Sequence, residues 1–204
     1  MQHAVEQQSE RVVNLANAIT LVRILCTPVF VALLVRHRLV HNVTPDAAVL
    51  TWYRHCALGV FIFASLSDAV DGYLARRFGQ RTTVGAWLDP LADKLLLTTA
   101  VLTLSLPVGL PERFPFWFPI VTLTRDFIIL TGTVLLFMLR GSVEIKPALA
   151  GKLTTCAQML CVILALLVVP ATALFWALGA ATVLTCVSGA QYVARGFRQM
   201  NAQG

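Results

Sequence analysis

The feature that most constrains this chain is a series of six apolar runs, at roughly 15–36, 49–75, 84–106, 116–139, 149–169 and 171–194. A helix rising 1.5 Å per residue crosses the ~30 Å hydrocarbon core of a bilayer in about 20 residues. Only 13% of the chain is charged and its mean hydropathy is +0.75. A soluble core of 204 residues does not need that much apolar surface. The sequence therefore predicts an all-α, polytopic membrane protein with six transmembrane helices, since a helix satisfies its backbone polar groups within one segment.

The runs fall in one domain, 15–196, with no internal repeat. Before it, residues 1–14 are polar; an amphipathic surface helix with Val5, Val12 and Val13 on one side and a disordered tail both fit. Residues 197–204 form a C-terminal tail. The first run is too long for a signal-peptide core and lacks a small-residue cleavage site, so it is expected to remain as an anchor. Pro28 is a candidate kink within it. Residues 37–48, with Thr44-Pro45-Asp46, and 140–148 read as loops.

The net charge of +6 is scattered between the apolar runs. That pattern suits anionic lipid headgroups and argues against nucleic acid. Six spans place both termini on one side, with nine basic residues there against four (Arg36, Arg38, Arg54, Arg113) on the other. The bias puts the termini on the cytoplasmic side. The five cysteines show no CxxC or Cys/His spacing and read as packing residues, with no disulfide and no zinc.

Four of the six aspartates lie in one stretch, Asp68 to Asp93. Asp68 and Asp71 are three apart; Asp89 and Asp93 are four apart. On helices each spacing stacks both carboxylates on one face, and a turn between residues 77 and 84 lets the pairs face each other. Such a cluster repels itself unless cations sit within it. Hard oxygen donors with no His or Cys nearby suit Mg²⁺ or Mn²⁺, ions that bridge phosphate oxygens, and a two-metal arrangement clamps attacking and leaving oxygens. Gly72, Ala75 and Gly85 leave room for a ligand, and Arg76 can neutralise a phosphate. Asp93 is the candidate general base. The reading is a diphosphate substrate attacked by an acceptor hydroxyl, at an active site on the cytoplasmic side.

Two further features carry charge into apolar runs. Asn17, Thr20 and Arg23 form one stripe on the first span. Helix capping with a snorkelling Arg23 explains it, and so does a role in holding a substrate phosphate. Arg125-Asp126 lies near the middle of the fourth span, where a locally paired ion pair and a functional site both fit.

The run Asp68-x2-Asp71-Gly72-x2-Ala75-Arg76-x8-Gly85-x3-Asp89-x3-Asp93 resembles the complete signature of the CDP-alcohol phosphotransferase family, with no departure in spacing. The resemblance implies a six-helix membrane enzyme, often a homodimer, that transfers a substituted phosphate from a CDP-linked donor to an alcohol and releases CMP. It implies metal ligation by Asp68, Asp71 and Asp89, with Asp93 joining a second metal or acting as base. The CDP site would be lined by Gly72, Arg76 and Gly85, beside Ala75.

Asn17-x2-Thr20-x2-Arg23, Gly151-Lys152-x-Thr154-Thr155-x2-Gln158 and the closing Gln191-Tyr192 with Arg195-Gly196 resemble the phosphatidylglycerophosphate synthase branch. That branch implies CDP-diacylglycerol as donor, sn-glycerol 3-phosphate as acceptor and a bacterial-type inner (cytoplasmic) membrane. Arg125 and Lys152, with Arg23, would bind the acceptor phosphate. One departure is Asp126, where those synthases usually carry Glu. With Lys146-Pro147, it is closer to the CMP-forming cardiolipin synthases, whose acceptor is phosphatidylglycerol. Intramembrane prenyltransferases share the paired-aspartate logic but lack the Asp-Gly-x2-Ala-Arg run. A transporter would spread polar residues along a path, whereas the acids here cluster.

Overall fold

The computed structural model describes the backbone of residues 2–43, 46–78, 83–140 and 149–201, and the side chains of 21–43, 46–67, 94–135, 138 and 149–196. It contains six helices: α1 (Gln2–Val43), α2 (Ala47–Phe78), α3 (Thr83–Ser105), α4 (Trp117–Arg140), α5 (Leu149–Leu166) and α6 (Ala171–Asn201). They fall into two compact units, Met1–Leu110 and Pro111–Gly204.

In the first unit α1 packs along both α2 and α3, which also touch each other. Phe30 and Leu34 of α1, Ala57, Phe61 and Ala64 of α2, and Ala100, Val101 and Leu104 of α3 are fully buried or nearly so. The Phe30 and Phe61 rings lie 5.9 Å apart and tilted, a favourable aromatic arrangement. Small Ala57, Ala64 and Ala100 let the backbones approach, as helix packing in lipid requires.

The loop read at 37–48 is much shorter in the structure, because α1 continues to Val43. Nothing in His37–Val43 breaks a helix before Pro45, and this last stretch has a partner. His37 is 3% exposed, and its Nδ1 donates to the Val108 carbonyl at 2.9 Å. Beside it Gly109 has φ +81°, and a Cβ there would stand 3.1 Å from His41 Cβ. Glycine is required at this turn both by its conformation and by the closeness of α1. The helix likewise begins at Gln2, joining residues 2–14 to the first apolar run in one helix. Asp46 then caps α2, its Oδ1 accepting from Ala48 N–H at 2.9 Å.

In the second unit α6 is the common partner of α4 and α5. The buried core is Phe114, Phe118, Val162, Ala165, Leu166, Leu174, Leu178 and Ala181. Phe114 and Phe118 meet edge to face at 5.2 Å. The hairpin between α5 and α6 closes through Val168, held at φ 55°, a conformation that disfavours β-branched residues. Pro170 then opens α6, its carbonyl accepting from Ala173 N–H at 2.9 Å.

Among the described residues, five helical segments are long and apolar enough to cross a membrane: Leu21–Val43, Ala47–Ser67, Trp117–Leu135, Leu149–Leu166 and Ala171–Gly196. In α3 the described apolar portion is the shorter Lys94–Ser105. Large apolar side chains such as Leu25, Phe63, Ile120, Phe127 and Val183 point outward, as a lipid-facing surface requires. Hydroxyls within these helices bond to carbonyls one turn back, as Thr122 does to Phe118 at 2.9 Å and Thr182 to Leu178 at 2.7 Å. Such bonds hide polar groups from hydrocarbon. All five cysteines are free.

Candidate active site

Asp68 and Asp71 lie on α2, and Asp89 and Asp93 on α3. Helical backbone at both places meets the premise that three- and four-residue spacings stack each pair on one face. Asp68 stands ten residues before the last residue of α2 and Asp93 ten after the first of α3; for Asp71 and Asp89 the separations are seven and six. At 1.5 Å per residue these are about 15 Å and about 9–11 Å along each helix from its own end. The side chains of all four aspartates, and of Gly72, Ala75, Arg76 and Gly85, lie outside the described residues. The donor set, carboxylates without His or Cys, is one that a hard divalent cation fits. Among the described residues there is no group of three or more His, Cys, Asp or Glu side chains.

Arg23 is 2% exposed, so it does not reach outward as a snorkelling residue would. A cation so buried in an apolar helix is a functional candidate. The side chains of Asn17 and Thr20 lie outside the described residues.

The second unit assembles a polar centre around Arg125 of α4. Its Nη1 donates to Asp126 Oδ1 at 2.8 Å, and its Nη2 donates to Ser188 Oγ of α6, also at 2.8 Å. Gly151 and Gly189 flank the side chain. A Cβ on Gly151 would stand 3.3 Å from Arg125 Nη2, and one on Gly189 would stand 3.5 Å from its Cγ. Arg125 is 13% exposed and Asp126 21%. A guanidinium has five N–H donors, and these two bonds use two. Its Nε is buried with no hydrogen-bond partner among the described residues. Buried polar groups in native proteins are nearly always satisfied, so such a donor marks a place for a further acceptor. Lys152, next to Gly151 on the first turn of α5, is exposed.

The remaining polar residues of α5 join it to α6. Thr154 Oγ1 lies 2.8 Å from the Ala150 carbonyl and 3.0 Å from the Leu184 carbonyl. Gln158 Nε2 donates to Thr185 Oγ1 at 3.1 Å, and Thr185 donates on to Ala181 at 2.7 Å. With Gln158 4% and Thr185 1% exposed, this is a satisfied network between two helices. Thr154 and Gln158 thus serve packing, while Gly151 serves the arginine. Sequence reasoning singled out Arg125, Asp126 and Gly151 but passed over Ser188. A signal existed: Thr185, Ser188, Tyr192 and Arg195 recur at helical spacing along one side of α6.

Comparison with known proteins shows the family of the chain. The sequence pattern of one family, described as CDP-alcohol phosphatidyltransferase, matches residues 13–187. A protein named "Probable phosphatidylglycerophosphate synthase" from Mycobacterium tuberculosis (strain ATCC 25618 / H37Rv) is 36% identical over 196 residues, covering 93% of this chain and 85% of its own. The CDP-diacylglycerol–glycerol-3-phosphate 3-phosphatidyltransferase of Bacillus subtilis (strain 168) is 35% identical over 162 residues, 73% of this chain and 74% of its own. A relative from Mycobacterium bovis named for cardiolipin synthesis is 30% identical over 145 residues, 71% of this chain and 60% of its own. With the family pattern matched over residues 13–187 and a relative 36% identical over 93% of the chain, this chain belongs to the CDP-alcohol phosphatidyltransferase family.

Proposed function

We propose that the chain transfers the phosphatidyl group of CDP-diacylglycerol to sn-glycerol 3-phosphate, giving phosphatidylglycerophosphate and CMP. The observation that carries this reading is the 36% identity over 93% of the chain to a protein named for that synthesis. The prenyltransferase and transporter alternatives lie outside the family to which the chain belongs.

In this reading Asp93 takes the proton of the acceptor hydroxyl as its oxygen bonds to the phosphorus that carries diacylglycerol. The bond from that phosphorus to the CMP oxygen breaks, and CMP leaves with the electron pair. Asp68, Asp71 and Asp89, with Asp93 at a second ion or acting as base, are the residues that would hold Mg²⁺ or Mn²⁺. The ions would neutralise charge on the diphosphate and the leaving group. Gly72, Ala75 and Gly85 leave space for the cytidine diphosphate, and Arg76 offsets its charge. Arg125 and Lys152 are proposed to bind the acceptor phosphate, supported by the unpartnered Nε of Arg125. Arg23 is proposed as a further phosphate-binding cation, supported by its burial.

Six spans are part of the proposal, supported by the 23 residues of α3, which at 1.5 Å each reach about 35 Å. The excess of basic residues on one side supports termini and active site on the cytoplasmic face of a bacterial-type inner membrane. A homodimer is proposed from the family resemblance.

A second reading, CMP-forming cardiolipin synthesis from phosphatidylglycerol, is favoured by Asp126 beside Arg125 and by the 30% identical relative. The deciding experiment incubates purified protein and Mg²⁺ with CDP-diacylglycerol and either glycerol 3-phosphate or phosphatidylglycerol. Phosphatidylglycerophosphate with stoichiometric CMP supports the first reading. Cardiolipin formed only with phosphatidylglycerol establishes the second, and no CMP release with either acceptor overturns both.

A further inference from the structure

The hydroxyl of Ser188 meets Arg125 across 63 residues of sequence, at 2.8 Å. It is the contact of α6 with the guanidinium, and Ser188 is 3% exposed. Three constraints act on this arginine together. Asp126 holds Nη1, Ser188 holds Nη2, and Gly151 leaves only enough room for Nη2, since a Cβ there would come within 3.3 Å. An arginine side chain loses about 2 kcal/mol of rotamer entropy when fixed. A site that fixes it beforehand spares the ligand that cost, and this is preorganisation. The buried Nε without a partner shows that the restraint does not consume every donor.

We propose that Ser188 is a positioning residue for the acceptor: by holding Arg125 Nη2 against Gly151 it fixes the guanidinium in one orientation, leaving its other donors available to an acceptor phosphate. The inference rests on the reading of Arg125 as an acceptor-binding cation, and it adds a residue on a different helix that never touches substrate. Asp126 alone cannot do this work. One hydrogen bond to an adjacent carboxylate still lets the guanidinium swing about that bond, whereas a second bond from another helix removes the rotation.

The test uses the full chain, purified and reconstituted with CDP-diacylglycerol and Mg²⁺, and measures initial rates against glycerol 3-phosphate concentration. Ser188→Ala is expected to raise the acceptor KM about tenfold, the effect of losing one hydrogen bond to a charged group. The KM for CDP-diacylglycerol and kcat stay within about threefold. Ser188→Thr keeps a hydroxyl and restores the acceptor KM to within about threefold of the parent. Gly151→Ala, which leaves Ser188 intact but crowds Nη2, raises the acceptor KM in the same way. Gly179→Ala, on α6 where a Cβ meets nothing within 4 Å, serves as the control and changes neither KM.

The inference is overturned if Arg125→Ala raises the acceptor KM while Ser188→Ala leaves it unchanged. It is also overturned if Ser188→Ala lowers kcat and both KM values are affected alike, the pattern of a packing defect. Should Arg125→Ala itself leave the acceptor KM unchanged, the acceptor reading of Arg125 fails first, and the role of Ser188 falls with it.

Discussion

The Tyr192 hydroxyl lies 2.6 Å from Thr133 Oγ1, joining α6 to α4 one turn along α6 and about two turns along α4 from the Arg125–Ser188 contact. Gly132 makes the approach possible, because a Cβ there would stand 3.0 Å from Tyr192 Cε1. The ring edge and the helix backbone touch where any side chain would intrude. Gly132→Ala should therefore displace the tyrosine and destabilise the second unit by roughly 1–3 kcal/mol through overpacking. Tyr192→Phe, which loses only the hydroxyl, should cost about 1 kcal/mol. Thermal unfolding in a fixed detergent measures both, and an alanine variant as stable as the parent would refute the packing account.

His37 ties the end of α1 to the 108–109 turn. His37→Leu keeps the bulk but strands the Val108 carbonyl, and a buried acceptor left alone costs about 1–3 kcal/mol. The variant should melt earlier and expose the Pro107–Pro111 segment to limited proteolysis. Unchanged cleavage at that segment would show that the bond does not hold the turn.

Asp93→Asn preserves shape and removes the carboxylate proposed as the base. Turnover is expected to fall at least ~100-fold, while metal-dependent binding of CDP-diacylglycerol, followed by equilibrium binding to the purified protein, stays close to that of the parent. Turnover near the parental rate would remove Asp93 from the proton transfer.

Removal of divalent ions is expected to abolish activity. After treatment with EDTA, CMP release should stop, and added Mg²⁺ or Mn²⁺ should restore it, since four carboxylates without a cation repel one another and the diphosphate alike. Full activity after exhaustive chelation, with no residual metal by elemental analysis, would exclude the carboxylates from metal binding.

The sequence by itself determined that the chain is helical and that the acidic motif falls on two successive helices. Apolar runs of membrane-spanning length leave the backbone no alternative to a helix, and aspartates three and four apart become neighbours as soon as a helix forms. Both consequences are local, carried by a period of 3.6 residues. The boundaries were less legible: α1 extends through His37 to Val43 because that segment packs on a turn 71 residues away. Only the tertiary structure decided which polar residues meet. Arg125 with Ser188, Gln158 with Thr185 and Tyr192 with Thr133 join different helices. No periodicity along one helix specifies which residue of another will stand opposite. That choice is made by where small residues such as Gly132, Gly151 and Gly189 let the side chains and backbones approach.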